Sequence, residues 1–587
     1  MSKLSRREFV YMMAMLGATP VFANSHTRMT DTKKLEDYYK LKPFGNARFL
    51  HMTDSHAQLL PVYFREPSVN LGFFSNFGKP PHIVGEKLLD YYGIKGNKRL
   101  EYAYSCVNFE KHAKVMGKVG GFAQIKTVVD YLKESFGADK TLLLDGGDTW
   151  QGSATALYTR GRDMVGAMNL LGVDVAVGHW EFTYKAEEVL ANVKELKAEF
   201  LAQNIFVKED SMMNGVEAFD EDTGHAFKPY TIKKMGNARV AIIGQAFPYT
   251  TIANPQRFIP DWTFGIKEDS MQEIVNKIKA EEKPDAIIVL SHNGFDTDKK
   301  MAEVVSGIDF ILGGHTHDGV PEAVPVKNAN GTTYVCNAGS NGKFLNVLDL
   351  DIQKGKIKDF KFTLLPIFSD LIPENKEMKK YIEDVRLPFL KELTRPIATT
   401  EQTLFRRGNF NGSWDQIICD ALLEVKEAQI SLSPGFRWGT SVMPGQTITF
   451  DDLMTQTAMT YPETYARDIK GEDIKAILED VADNLFNEDP FYQQGGDMVR
   501  TGGISYKINP TAKMGERITD IVLTKTGEKL DASKSYKVAG WSTVGAQSEG
   551  EPVWETVETY LKNVKHISNV KVDTPDIIGV KGNPGII

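Results

Sequence analysis

A chain of 587 residues with 42% hydrophobic and 25% charged residues has the make-up of a globular protein and is too long for one core, so two or more domains are expected. A formal net charge of −8 gives no overall basic field for a phosphate backbone, which argues against nucleic acid as a partner. The three cysteines, Cys106, Cys336 and Cys419, are too few and too scattered for a disulfide framework or a thiolate metal site, and three buried thiols are expected instead.

In chain order, residues 1–23 come first. Paired Arg6 and Arg7 precede a short apolar run, and Val21-Phe22-Ala23 offers a small-residue cleavage site, the pattern of a twin-arginine export signal. A periplasmic location follows as an expectation. The apolar run falls short of the ~20 residues a spanning helix needs, so no stable membrane association is expected. Export after folding suits a protein that takes up metal inside the cell.

From about residue 46 to 345 one theme recurs: an apolar run that ends abruptly in small and polar residues. ARFLHMTDSH (47–56), TLLLDGGDTW (141–150), VDVAVGHWEF (173–182), ARVAIIGQAF (238–247), DAIIVLSHNG (285–294), IDFILGGHTH (308–317) and TYVCNAGSN (333–341) are such runs. Near-continuous Val, Ile and Leu marks strands covered on both faces. Helical spacing lies between several of them, as at Ile125, Val128, Val129 and Leu132 or Met271, Ile274, Val275 and Ile278. Alternating strands and helices predict an α/β layered domain over 24–370, with ligands gathered at the carboxyl ends of strands. Segment 61–118 lacks clear periodicity and reads as a long loop or local insertion. Residues 371–398 are charged and helical, a linker helix that Pro388 should kink. A second α/β domain is expected over 399–587, with helices around 414–428 and 471–486 and strands at 518–525 and 536–541.

The strand ends carry Asp54, His56, Asp148, His179, His292, His315 and His317. This set is all oxygen and nitrogen, suited to Mn, Fe or Zn, and too large for one tetrahedral ion. Five of the chain's 11 histidines in one local context, beside two Asp, predict a dinuclear site sharing a carboxylate.

DSH (54–56), GGD (146–148), GHWEF (178–182), SHNG (291–294) and GGHTH (313–317) resemble the metallophosphoesterase motifs of the 5′-nucleotidase family, and the linker and second domain fit that family's C-terminal part. The resemblance implies a four-layer α/β/β/α sandwich followed by a C-terminal substrate-binding domain. One metal would take Asp54, His56, Asp148 and His317, the other Asp148, His179, His292 and His315, with Asp148 bridging. Where the nucleotidases have an Asn ligand and then a catalytic His, this chain has His179 and Trp180. That exchange, with QLLPVYFREPSVNLG (58–72), SPGFRWG (433–439) and DPFYQQGGDMVRTGG (489–503), is similar to the SoxB thiosulfohydrolases. The likeness implies two manganese ions, although zinc accepts the same side chains. It also implies a substrate presented on a cysteine of a SoxYZ-type carrier, with release of sulfate. A periplasmic 5′-nucleotidase or related phosphoesterase is the alternative, and a non-catalytic metal-holding protein a third.

Metal coordination lowers the pKa of water, so no protein nucleophile is required, and no G-x-S-x-G elbow is present. Arg437 occupies the place of the family's substrate-binding arginine, its fork suited to a tetrahedral oxyanion. Arg65, Arg406, Arg407 and Arg500 are further candidates, for which surface ion pairs are expected. Loop 489–503, with Phe491, Tyr492 and four glycines, is expected to line a channel for the carrier arm.

A phosphomonoester has an alkoxide leaving group that gains from a proton donor. A cysteine S-thiosulfonate releases a persulfide sulfur, a stable anion that needs none. Trp180 is therefore assigned shape and water exclusion, with His179 moved into the ligand role. Trp180→His is expected to raise phosphate-monoester hydrolysis by about tenfold or more, measured as phosphate released.

Overall fold

The computed structural model describes residues 39–545 and 547–587; the export signal expected at 1–23 lies outside the described residues. Two six-stranded sheets face each other in the first part of the chain. Their strands, in chain order, are β1 (Ala47–Met52), β2 (Thr141–Asp145), β3 (Val175–Ala176), β4 (Glu199–Phe200), β5 (Tyr230–Met235), β6 (Ala238–Gln245), β7 (Ala286–Ser291), β8 (Phe310–Gly313), β9 (Val324–Asn328), β10 (Gly331–Asn337), β11 (Phe344–Gln353) and β12 (Lys356–Pro366). One sheet has the order β12-β11-β1-β2-β3-β4 and the other β9-β10-β8-β7-β6-β5.

Within the first sheet β1 to β4 run parallel. In the second, β6, β7, β8 and β10 run parallel. Side-chain alternation divides the second sheet's residues between two cores. Val240, Ile242, Ala286, Ile288, Leu290, Phe310 and Leu312 join the core shared with the first sheet. Ala241, Ile243, Ile287, Val289 and Ile311 point to an outer core, as a period of two requires. Helix Glu268–Glu281 covers that outer face with Met271, Ile274, Val275 and Ile278. Helix Phe122–Phe136 delivers Ile125, Val128, Val129 and Leu132 to the first core. Helices outside, sheets inside: four layers in the expected order, with the carboxyl ends of β1, β2, β3, β7 and β8 converging.

Helix Lys376–Arg386 is N-capped by Asn375, whose side chain accepts from the N–H groups of Glu377 and Met378. It buries Met378 and Ile382 in the first core and passes at Pro388 into a 3-10 turn, Leu387–Phe389, the interruption expected of proline. From Pro396 onward the chain builds further sheets with the orders Thr447–Thr449/Pro396–Thr400/His566–Ile567, Thr464–Lys470/Ser535–Trp541/Ile430–Ser433/Arg500–Gly502, and Ile518–Leu523/Ile504–Ile508/Asp576–Ile577. Helices Ser413–Val425 and Gly471–Phe486 pack on them through Trp414, Ile417, Ile418 and Ala421, and through Ile474, Leu478 and Ala482. All three cysteines are free and buried. Among the described residues no helix is long and apolar enough to cross a membrane.

Segment 61–118 is not a long structureless loop. It holds three helices, Gly85–Tyr92, Lys98–Tyr104 and Phe109–Met116, which bury Leu89, Tyr92, Leu100, Tyr102 and Phe109 in the first core. With two of them stopped after about two turns by Gly93 and Gly117, each at positive φ, they are too short for helical periodicity to register.

A buried ion pair ties the centre of the first sheet together. Arg48 of β1 lies opposite Asp349 of β11, and its Nε and Nη2 donate to the two carboxylate oxygens at 2.6 and 2.7 Å. Arg48→Met leaves that carboxylate buried alone and is expected to cost about 3 kcal/mol in urea unfolding, most of it regained when Asp349→Leu is added.

Candidate dinuclear metal centre

The turns after β1, β2, β3, β7 and β8 carry the seven expected ligands, and all seven are buried. They meet as two groups, Asp148, His179, His292 and His315, and Asp54, His56, Asp148 and His317; within each group the ligand atoms lie within 4.8 Å of one another. Asp148 belongs to both. Its Oδ1 is 3.2 Å from His179 Nδ1, and its Oδ2 is 3.0 Å from His292 Nε2 and 3.5 Å from His56 Nε2. Asp54 Oδ1 lies 3.2 Å from His317 Nε2.

The imidazoles are held so that lone pairs face inward. His56 Nδ1 and His292 Nδ1 lie 3.2 and 2.5 Å from the carbonyl oxygens of Gln151 and Gly146. A carbonyl only accepts, so Nδ1 carries the proton and Nε2 keeps its lone pair. His56 Nε2 and His317 Nε2 lie 3.0 Å apart, close enough to share either a proton or a cation. Both ring nitrogens of His315, Nε2 of His179 and Nδ1 of His317 are buried with no hydrogen-bond partner. Such groups cost about 1–3 kcal/mol each when left unmade. An all oxygen-and-nitrogen donor set with this many orphaned imidazole atoms fits two divalent ions.

Electrostatics point the same way. Burial pushes His56 down to about 4, and burial with the Arg407 and Arg437 charges nearby holds His317 well below the usual imidazole range. Burial raises Asp54 to about 6. His292 is the exception. Burial opposes its charge, but Asp148 and Asp54 outweigh burial and carry it up to about 10. The carboxylates that hold a proton there would hold a metal in its place.

The backbone is strained at the ligands. Asp54, His56, Asp148, His315 and His317 have φ of 51°, 44°, 58°, 73° and 61°, the left-handed region that side chains enter at a cost of order 1–3 kcal/mol. Cross-links hold them there: His315 N–H donates to both oxygens of Asp54 at 3.0 Å, and Trp180 N–H donates to Asp148 Oδ1 at 2.9 Å. Gly314 must be glycine, because a Cβ there would stand 2.2 Å from Thr53 Oγ1 and 2.9 Å from Asp54 Oδ2.

Trp180 is 5% exposed and belongs to the second part's core. Its indole is edge-on to Trp438 and Phe436, with centroids 5.1 and 5.5 Å away. It also lines a cavity of about 330 Å³ that reaches Asp148, His179, His315 and His317. Packing and site contact are therefore combined in one residue. Arg437 lines the same cavity, donating to the carbonyls of Gly496 at 2.7 Å and His315 at 3.4 Å.

The expectation of surface ion pairs for the other arginines is overturned. Arg406, Arg407 and Arg500 are buried and neutralised by buried acids: Arg406 pairs with Asp415 at 2.9 Å, Arg407 with Asp318 at 3.3 Å, and Arg500 with Asp497 at 3.2 Å. Arg65 lies over the Phe405 ring. A guanidinium's fork and weak hydration let it go inside wherever carboxylates meet it. In loop 489–503, Gly495 presses on the metal cluster, since a Cβ there would lie 2.3 Å from His315 Nε2, while Tyr492 is 61% exposed.

Sequence reasoning passed over Glu181. Its carboxylate accepts from the N–H groups of His179 and Thr149 at 2.7 Å, and of Asp148 and Trp150 at 3.3 Å, so it locks two ligand turns together. Its place inside the GHWEF stretch was the available signal. Phe247, stacked on His315 at 4.1 Å, ends one of the apolar runs and carried none.

The family model for the 5′-nucleotidase C-terminal domain matches residues 396–556. A solved Thermus thermophilus protein described as sulfate thiohydrolase SoxB is 35% identical, with a TM-score of 0.85 and coverage of 92% of this chain and 98% of that one. The 5′-nucleotidase of Bos taurus is 26% identical over 75% of this chain and 78% of its own. The trifunctional nucleotide phosphoesterase protein YfkN of Bacillus subtilis is 28% identical over 70% of this chain, which spans only 30% of that protein's length.

Glu181→Gln keeps one acceptor and loses the charge that gathers four N–H groups. Metal affinity is expected to fall about 10- to 100-fold, measured by competition with a metallochromic chelator, while the folded state persists by circular dichroism.

Proposed function

The chain belongs to the 5′-nucleotidase superfamily of metal-dependent hydrolases, and we propose that within it this enzyme releases sulfate from a cysteine S-thiosulfonate borne on a SoxYZ-type carrier, in the periplasm, after twin-arginine export. The seven side chains Asp54, His56, Asp148, His179, His292, His315 and His317 hold two manganese ions in this proposal.

Trp180 is the observation that carries it. The residue sits between a metal-facing imidazole and the aromatic wall of the cavity, presenting an indole where a leaving alkoxide would want a proton donor. Phe436 and Trp438 support the same conclusion. They stack on each other with centroids 4.0 Å apart, leaving no gap for a base between them. The 35% identity to a protein described as SoxB, across nearly all of both chains, stands behind this.

Two divalent ions held by these residues would lower the pKa of water toward neutrality and would polarise a sulfonate oxygen. The chain's own residues do the rest. Asp148 and the imidazoles fix the ions' positions, and the Arg437 fork steadies the tetrahedral oxyanion. Trp180 and its aromatic neighbours keep bulk water from the S–S bond. Overall, the oxygen of water bonds to the sulfonate sulfur. The S–S bond breaks with its electron pair on the persulfide sulfur, and the water protons pass to solvent, leaving sulfate and a carrier persulfide. The terminal sulfur leaves as a stable anion, so no acid is needed.

The second reading, a 5′-nucleotidase, is favoured by the C-terminal domain match at 396–556 and by the bovine relative. One experiment separates the two. Protein loaded with two equivalents of manganese is incubated with thiosulfonated carrier and, in parallel, with AMP. Sulfate is expected from the first at a rate at least about a hundredfold above phosphate from the second, the scale set by one positioned proton donor. Phosphate release with no sulfate would overturn the proposal, and removal of metal by chelation is expected to abolish both.

A further inference from the structure

Two cavities meet at the metal centre, and they differ in chemistry. The larger one is walled by rings, among them Trp180, Phe247, Phe436, Trp438 and Trp541. The second, of about 80 Å³, lies on the other side of a thin partition. Its wall includes Asn70, Asn76, His82, Asn293, Arg407 and Asn409. His315, Arg437 and Gly495 to Asp497 line both cavities and form the partition.

Four acids line the second cavity, Asp296, Asp318, Glu488 and Asp497; the first two and the last are ion-paired and also accept from the amides of Asn76, Asn70 and Asn409. Asp296 is paired with His82 at 2.9 Å and Lys299 at 3.2 Å. Asp318 is paired with Arg407 at 3.3 Å, and Asp497 with Arg437 at 3.4 Å and Arg500 at 3.2 Å. Arg407 is 4% exposed and its Nε has no hydrogen-bond partner; His82 Nδ1 has none either. The room exceeds the share of one water, about 30 Å³. Part of the wall comes from residues between 70 and 82, in the segment whose purpose the sequence left open, and the exposed residues of the lining include Ser75 and Glu488.

Hydrolysis leaves a doubly charged tetrahedral oxyanion beside the metals. Moving it out through an aromatic cavity strips its hydration without replacement, a heavy penalty, and the rest of the substrate still fills that space. A cavity whose acids are mostly paired, and where Arg407 Nε and His82 Nδ1 are without partners, offers an oxyanion a few polar contacts, weak enough to let the ion go. We propose that the second cavity is the exit site for the product oxyanion, separate from the aromatic cavity through which the substrate enters. This rests on the hydrolase reading; the identity of the anion, sulfate or phosphate, follows from which substrate is turned over.

Ser75→Trp with Glu488→Trp adds bulk at these exposed lining positions without touching the partition or the metal ligands. In the double variant, single-turnover release at the metal centre is expected to stay within about twofold of the parent. Steady-state turnover is expected to fall about tenfold, with a burst of one equivalent of product, because release has become limiting. Sulfate from thiosulfonated carrier and phosphate from AMP are both followed, so the exit is tested with whichever the enzyme uses. Independently of turnover, labelled sulfate is expected to leave manganese-loaded double variant about tenfold more slowly than parent. An unchanged departure rate, or equal slowing of single-turnover and steady-state rates, would overturn the proposal.

Discussion

One carboxylate organises the centre of this molecule. Asp148 stands within 3.5 Å of the ring nitrogens of His56, His179 and His292 and is itself buried. Such a concentration of inward lone pairs is tolerable only with positive charge among them. The fold around it can be understood as the means of bringing five turns to that point. Parallel strands in two facing sheets aim their carboxyl ends at a common place, and the cross-links between turns hold the backbone in conformations it would otherwise leave.

The second part of the chain completes the centre. Trp438 lies 5.7 Å from the His56 ring, and Arg437 reaches the His315 carbonyl. Beneath them Asp415 and Asp497 join Arg406, Arg407, Arg437 and Arg500 in one buried ionic network. Networks of this kind are individually weak evidence for stability but fix geometry well, because removing any member strands a charge. The partition between the two cavities is therefore rigid at its base, and its chemistry can differ on the two sides.

The seven ligands were legible because strand-end position and residue type coincide in five of the seven apolar runs. The α/β layering was legible because apolar runs and helical spacing are local, whereas the count of four layers came only with the family resemblance. Glu181 was not, since a carboxylate next to a ligand reads as any surface acid until its four N–H partners are seen. The arginines were misread for a related reason: composition cannot tell an exposed guanidinium from one matched by a carboxylate far away in sequence, as Arg407 is by Asp318 and Asp497. The helices between residues 85 and 116 escaped because two turns give a period too few repeats to register. Nor could a linear string show that residues from 70–82 and from 484–497 line one cavity.

Gly495 rests against the imidazole of His315 with no room for even a methyl group between them. A loop from the far end of the chain thus acts as a stopper over a ligand whose own turn lies near the middle. The direction in which that ring presents its nitrogens is therefore set in part by a segment from the other half of the polypeptide, and the two parts of the chain share the shaping of one ligand.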